Sequence, residues 1–324
     1  MPADFFPSDP DENAASLSNL GEVIFACLDA VEPRTVIEVG AFHGKSTEEM
    51  LDWAERSGSR VIAVDPEPHQ NLRDLATRRP ALELVERTSH EALRELEPAE
   101  AVILDGDHNY YTLSEELRLI EERTRGAELP LIMFHDIGWP LARRDAYYVP
   151  ERIPSEHRQP LARDVYLLAG EPGVADEGMP FACVAAREGG PRNGVLTAIE
   201  DFIGERPQLR LAVVPAFFGL GVLWHREASW ARRVDEVLEP WDRNPILERL
   251  EANRVRQMVE RYRMTRRLGL FADRSERAAG VFRAMLGSSV FGLAERVSRL
   301  RQRGAPLFSR EQVRKALREL EQNR

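Results

Sequence analysis

Two short stretches bring carboxylates and imidazoles together: Asp105-Gly106-Asp107-His108 and His135-Asp136. Each follows an apolar run, Ala101-Val102-Ile103-Leu104 and Leu131-Ile132-Met133-Phe134, and so reads as the carboxyl end of a buried strand. Doubly wound sheets bind their ligands at that edge. Acidic groups and imidazoles crowded on one rim are costly to hold unless something neutralises them. A divalent cation is one solution, since carboxylate oxygens suit Mg²⁺ and mixed oxygen and imidazole donors admit Mn²⁺. Asp107 either joins that cluster, caps the helix beginning near Thr112, or bonds its own turn.

A second constellation lies upstream, in Thr35-Val36-Ile37-Glu38-Val39-Gly40-Ala41-Phe42-His43-Gly44-Lys45-Ser46-Thr47 and Arg60-Val61-Ile62-Ala63-Val64-Asp65. An apolar run ends in an acid and a glycine, turns through a second glycine, and enters a helical pattern that Ser46 or Thr47 caps. The next apolar run ends in Asp65. Glycines let such a turn approach a ligand closely, and a carboxylate at the following strand end can accept both ribose hydroxyl protons. The spacing is Gly-x-x-x-Gly, without the dinucleotide fingerprint Gly-x-Gly-x-x-Gly. That fingerprint brings a helix N-terminus to a pyrophosphate, which a ligand without phosphates has less need of.

Together these residues resemble motif I and the following acidic position of the class I S-adenosylmethionine-dependent methyltransferases, over about residues 33–226. The resemblance implies that S-adenosylmethionine is held by Glu38, Gly40, Gly44, Ser46, Asp65, Ser89 and Asp105. Asp65 would bind the ribose, and Glu38 would either order the loop or meet the donor's amino group. The rim resembles the metal-dependent O-methyltransferases of the catechol and caffeoyl-coenzyme-A types, and in its Asp-x-x-His spacing the macrocin and mycinamicin sugar enzymes. Asp105 falls on their first ligand position, His108 on the base, and Asp136 on the later pair. There, either Ile137 replaces an asparagine or His135 replaces an acid. The resemblance thus implies Mg²⁺ or Mn²⁺ on Asp105, Asp136 and His135. It also implies O-methylation of a sugar or other hydroxylated small molecule, with His108 taking the proton; an ordinary histidine titrates near ~6.5. Three other readings stand beside it: a metal-independent O- or N-methyltransferase, a nicotinamide-dependent oxidoreductase disfavoured by the missing fingerprint, and a non-catalytic binding module.

The elements that must position these residues alternate along the chain. Strands are expected at 35–40, 60–65, 82–86, 101–105, 130–135, 180–187, 209–215 and 220–226, with helices near 46–57, 69–78, 89–96, 112–125 and 194–205. The expected fold class is α/β, a Rossmann-like doubly wound, mostly parallel sheet closed by an antiparallel hairpin around Phe217-Phe218-Gly219-Leu220-Gly221. Residues 1–32 read as a leader and a helix, 33–226 as the main domain, and 227–324 as a C-terminal helical region. That last region divides into 228–268, 272–302 and 309–324, with a break at Gly304-Ala305-Pro306, and serves as an appendage or dimerisation arm. Residues 138–163 are too long and proline-rich for a plain connection and read as a substrate lid. Its Trp139, Arg143, Arg144, Tyr147 and Tyr148 are the expected acceptor contacts, the arginines suiting an anionic or polyhydroxylated molecule.

Composition bounds the rest. At 324 residues, 43% apolar and 30% charged, the chain can bury a full core. A net charge of −10 argues against a general nucleic-acid binder. Cys27 and Cys183 sit in apolar runs and read as buried thiols of a reducing cytoplasm. No apolar stretch is long enough to span a bilayer. The expected partner is therefore a small-molecule or saccharide acceptor, with neither nucleic acid nor membrane.

Overall fold

The computed structural model describes residues 15–204, 206–301 and 309–322; the expected leader at 1–14 and the expected break at Gly304-Ala305-Pro306 lie outside them. The chain divides into two compact units, Met1–Met258 and Val259–Arg324. The first holds every strand. Its main sheet comprises β1 (Thr35–Val39), β2 (Arg60–Val64), β3 (Leu82–Val85), β4 (Ala101–Leu104), β5 (Leu131–Phe134), β8 (Leu209–Val214) and β9 (Leu220–His225). The order across the sheet is β3-β2-β1-β4-β5-β9-β8, with β1 to β5 parallel and β8 and β9 antiparallel. β1, β4 and β5 are buried along their whole length; β4 and β5 are continuous apolar runs, whereas β1 carries Thr35 and the buried Glu38.

Helices cover both faces. On one side α1 (Gly21–Val31), α2 (Lys45–Ser57), α3 (Gln70–Arg78) and α7 (Ala231–Leu238) pack Leu28, Leu51, Leu72 and Val234 against Val36, Ala63 and Met133. On the other, α4 (Ser89–Glu95), α5 (Tyr110–Arg123) and α6 (Val195–Gly204) pack Leu93, Leu117 and Ile199 against Ile37, Val102 and Ile132. The chain winds outward from β1 to β3 and then returns to lay β4 beside β1. The crevice at a sheet's carboxyl edge opens at such a reversal, which puts the ends of β1 and β4 at its centre.

One expected strand goes elsewhere. Residues 180–187 do not join the main sheet; β7 (Met179–Ala185) pairs antiparallel with β6 (Leu161–Leu167) in a separate two-stranded ribbon. β6 lies partly in the segment expected to be lid alone. Its sequence, LARDVYL, is largely exposed and lacks the apolar run that reveals a strand.

The helical tail also differs from its expected divisions. The break falls at Asn244, whose side-chain oxygen caps α8 (Pro245–Gly287) by accepting from the amides of Ile246 and Leu247. α8 then runs through Gly269 and Gly280, since a lone glycine costs a long helix only ~1 kcal/mol. α9 (Ser289–Arg301) and α10 (Arg310–Gln322) follow. Among the described residues, no helix is long and apolar enough to cross a membrane.

Candidate active site

At the ends of β1 and β2 the loop is shaped by two carboxylates. Glu38 is 1% exposed, and its oxygens accept from the hydroxyls of Ser46 and Thr47 in the first turn of α2. Burial raises its carboxyl to about 7, against the pull of those two hydroxyls. Glu38 thus ties the first turn of α2 to the end of β1 through Ser46 and Thr47. Asp65 accepts from the amide of Phe42 through Oδ2 and from that of Glu67 through Oδ1, both at 2.8 Å. It ties the glycine loop to the end of β2, and each oxygen keeps a second lone pair for a sugar hydroxyl. Gly40 has φ 87, and a Cβ there would lie 2.2 Å from the Asp105 carbonyl oxygen. Only glycine lets the loop cross the end of β4 this closely. Gly44, at φ 81, opens α2. Ser89 starts α4 and hydrogen-bonds the buried Glu116, whose carboxyl burial pushes up to about 8.

The ends of β4 and β5 bring together the four expected rim residues. His108 Nε2 lies 3.2 Å from Asp105 Oδ1 and 3.3 Å from Asp136 Oδ2. His135 Nδ1 lies 3.1 Å from Asp105 Oδ1, and its Nε2 2.9 Å from the carbonyl oxygen of Phe217. That carbonyl can only accept, so His135 Nε2 carries a hydrogen. Burial raises the Asp105 carboxyl, but the His135 and His108 rings beside it prevail and hold it well below the usual carboxylate range. Asp105 Oδ1 thus stands between the two rings, facing His108 Nε2 and His135 Nδ1. Burial opposes charge on His135, yet Asp105 and Asp136 push it up to about 9.

His108 differs. It is 7% exposed, its Nε2 hydrogen points between two carboxylates, and its buried Nδ1 has no hydrogen-bond partner. Burial lowers its pKa, and Asp136 and Asp105 more than restore it. Asp107 bonds its own turn, accepting from Asn109 at 2.7 Å and from Thr112 at 3.3 Å. The cap of α5 is Asn109, which accepts from the Thr112 amide. Burial raises the Asp107 carboxyl.

These bonds bear on the expected cation. Asp105 and Asp136 do face one point, but that point is His108 Nε2. His135 Nε2 is taken up by the Phe217 carbonyl, and its Nδ1 faces Asp105 Oδ1. Among the described residues, no group of three or more His, Cys, Asp and Glu is arranged to hold a metal. In this arrangement the expected ligands bond one another: His108 Nε2 faces both carboxylates, and His135 Nδ1 faces Asp105.

The lid contacts need a larger correction. Arg144 is 1% exposed and donates to the carbonyls of Ala185, Pro172 and Gly173, so it holds the ribbon rather than an acceptor. Arg143 forks Glu200 at 2.6 and 2.7 Å. Tyr147 is buried, donating to Asp145 and accepting from the Gln159 amide. Trp139 packs against a small core of Leu141, Ala146, Leu167 and Val184. Tyr148 is 73% exposed, with its ring 6.1 Å from that of His108. The segment also reaches the turn after β2, through Arg152 on Glu67 at 2.6 Å, and the first turn of α5, through His157 stacked on Tyr111.

Sequence reasoning missed Asp145. It is fully buried and accepts from the amides of Tyr110 and Gly194 and the hydroxyl of Tyr147, fastening the segment to the start of α5. Its amide partners lie 35 and 49 residues away, so no local pattern announces it.

The strand order, with a parallel core, a closing antiparallel pair and helices on both faces, defines a Rossmann-like methyltransferase fold. Residues 37–137 match the family model described as a methyltransferase domain. No curated protein matches the chain. Among solved structures, the chain is similar to the SAH-bound methyltransferase PaMTH1 of Podospora anserina, at 14% identity over 68% of this chain and 83% of that one, TM-score 0.40. It is similar to cofactor-bound Rv0187 from MTB, at 18% identity over 69% of this chain and 93% of that one, TM-score 0.38. A third is the 1,6-didemethyltoxoflavin-N1-methyltransferase of Burkholderia thailandensis, at 17% identity over 66% and 77%, TM-score 0.38. Likeness at this level carries no acceptor from those proteins to this chain. The domain match supports a S-adenosylmethionine-dependent methyltransferase.

Proposed function

We propose that this protein transfers a methyl group from S-adenosylmethionine to a hydroxyl of a small molecule, a sugar being the favoured class, with His108 as the base. One observation carries the reading: His108 is held by two carboxylates at Nε2 and turns a buried, unpartnered Nδ1 away from them. The glycine loop fits the donor, because a Cβ on Gly40 would fill the closest approach and Asp65 retains lone pairs for the ribose. When bound, the donor supplies an electrophilic sulfonium methyl.

An alcohol is barely ionised at neutral pH, so its oxygen attacks well only as the proton leaves. The acceptor O–H gives its proton to His108 Nδ1 while the oxygen forms the new bond to the methyl carbon. The carbon–sulfur bond breaks in line, and its electron pair returns to sulfur. The products are a methyl ether and the neutral thioether. Asp105 and Asp136 orient the ring and stabilise the imidazolium, and such base catalysis contributes about 10²–10⁴-fold. Both nitrogens of His135 are occupied, by Asp105 and by the Phe217 carbonyl, which leaves His108 as the base. Tyr148 offers an aromatic wall beside it for an acceptor ring.

A second reading, an Mg²⁺ or Mn²⁺ ion between Asp105 and Asp136, draws support from the convergence of those two carboxylates. The arrangement of His135 speaks for the metal-free form. Methyl transfer to a panel of sugars and phenols, run with and without a chelator, tests both. Undiminished turnover in chelator is the expected result, and turnover abolished by it and restored by Mg²⁺ or Mn²⁺ would reinstate the ion. Absence of S-adenosylmethionine binding by calorimetry would sink the methyltransferase reading itself.

A further inference from the structure

The orientation of His135 depends on a turn that no catalytic motif contains. The Phe217 carbonyl accepts from His135 Nε2 at 2.9 Å, and the Phe218 carbonyl accepts from the Gly138 amide at 2.5 Å. These two carbonyls grip both ends of the His135–Gly138 bend, inside which Asp136 stands at φ 56. The contact is backbone against backbone: a Cβ on Gly138 would lie 2.5 Å from Phe218 O, and one on Gly219 2.9 Å from Gly138 N.

Phe217 and Phe218 are themselves left-handed, at φ 50 and 67. Bulky residues seldom adopt that conformation, and it persists only where the surroundings over-determine it. Glu251, in the second turn of α8, supplies the constraint. Its Oε2 accepts from the Phe217 amide at 3.0 Å and its Oε1 from the Phe218 amide at 2.8 Å. Successive amides turned to one side form a small anion-binding concavity, and here the anion is a side chain of the same protein. Arg254, one turn further, forks the same carboxylate at 2.7 and 2.6 Å. Its guanidinium lies 4.5 Å from the Phe218 ring centre and 5.5 Å from that of Phe217.

We propose that Glu251 is a positioning residue of the reaction, acting through the Phe217–Phe218 turn to fix His135 and, through Asp105, the ring of His108. The kinetic half of this inference rests on the methyltransferase reading, and the positional half on the hydrogen bonds alone. Without the carboxylate, two left-handed amides lose their shared acceptor. Phe217 then relaxes to an ordinary φ, which swings its carbonyl off His135.

The test compares wild type, Glu251→Ala and Glu251→Gln in the full chain, with histidine rings labelled for NMR. The Nε2 proton of His135, assigned with a His135→Gln control, should shift or vanish in Glu251→Ala. It should be partly retained in Glu251→Gln, which keeps one accepting oxygen. For a displacement of about 1 Å, kcat should fall on the order of 10²-fold while donor Kd stays within about twofold. An unmoved His135 signal in folded Glu251→Ala would overturn the proposal, as would a donor affinity that falls as far as kcat. If Glu251→Ala fails to fold, Glu251→Gln and Arg254→Leu bear the same measurement, and an unmoved signal in both is equally fatal. A wild type that binds no donor would remove the methyltransferase reading, leaving the ring signal to decide Glu251 independently.

Discussion

At the β1–β2 edge the shaping groups are close in sequence. Glu38 holds Ser46 and Thr47 from 8 and 9 residues away, and Asp65 reaches back 23 residues to Phe42. At the β4–β5 edge the chemistry hangs on distant chain. His135 depends on Phe217, 82 residues on, and Phe217 in turn on Glu251, 34 residues beyond. The first edge needs only its strands and a glycine turn to assume its form. The second is complete only when the closing hairpin and the first turns of α8 have packed. A motif of the first kind is readable as a string, whereas the protonation and aim of the second are properties of the assembled sheet.

Under the proposed function the donor belongs to one edge and the proton to the other, so substitutions on the two should change different parameters. The largest effect belongs to His108→Ala: kcat should fall about 10²–10⁴-fold, with donor Kd by calorimetry unchanged. Asp65→Ala removes charge-assisted bonds to the Phe42 and Glu67 amides and to the ribose, each worth about 1.5–3 kcal/mol. Donor Kd should weaken by roughly 10–100-fold, with kcat at saturating donor much less affected. If His108→Ala weakens the donor as much as Asp65→Ala does, the division between the edges is wrong.

The smallest effect separates the edges by pH. Glu38 rises from 4.5 to about 7 in the fold, so the folded state binds more protons than the unfolded one in that window. Stability from this group falls as pH climbs from about 4.5 to 7. His135 rises from 6.5 to about 9, so its contribution is full below 6.5 and is lost as pH rises through 9. Calorimetric Tm should therefore decline from mildly acid to alkaline pH, by about 2–4 °C per kcal/mol lost. Glu38→Gln should flatten the lower part of that decline and His135→Gln the upper. A Tm that rises across either window would contradict the corresponding protonation state.

The fold was largely legible, for a physical reason. Strands buried on both faces are mostly apolar, and Val36-Ile37, Ala101-Val102-Ile103-Leu104 and Leu131-Ile132-Met133-Phe134 declare themselves. β6 did not, because a ribbon with exposed faces carries no apolar signature. The lid arginines misled in a related way. An arginine's type says it will grip oxygen, but not whether that oxygen belongs to an acceptor, to Glu200, or to the Ala185 carbonyl.

By sequence alone, the chain determined its alternating strands and helices, the glycine turn with Glu38 and Asp65, and the meeting of Asp105, His108, His135 and Asp136 at one edge. Those follow from local pattern, because strand periodicity and strand ends set them. Tertiary structure decided what the four rim residues are to one another. Whether a histidine is base, ligand or fixed cation depends on what faces each of its two nitrogens. For His135 those neighbours are a carboxylate 30 residues before it and a carbonyl 82 residues after it, in a turn held by α8.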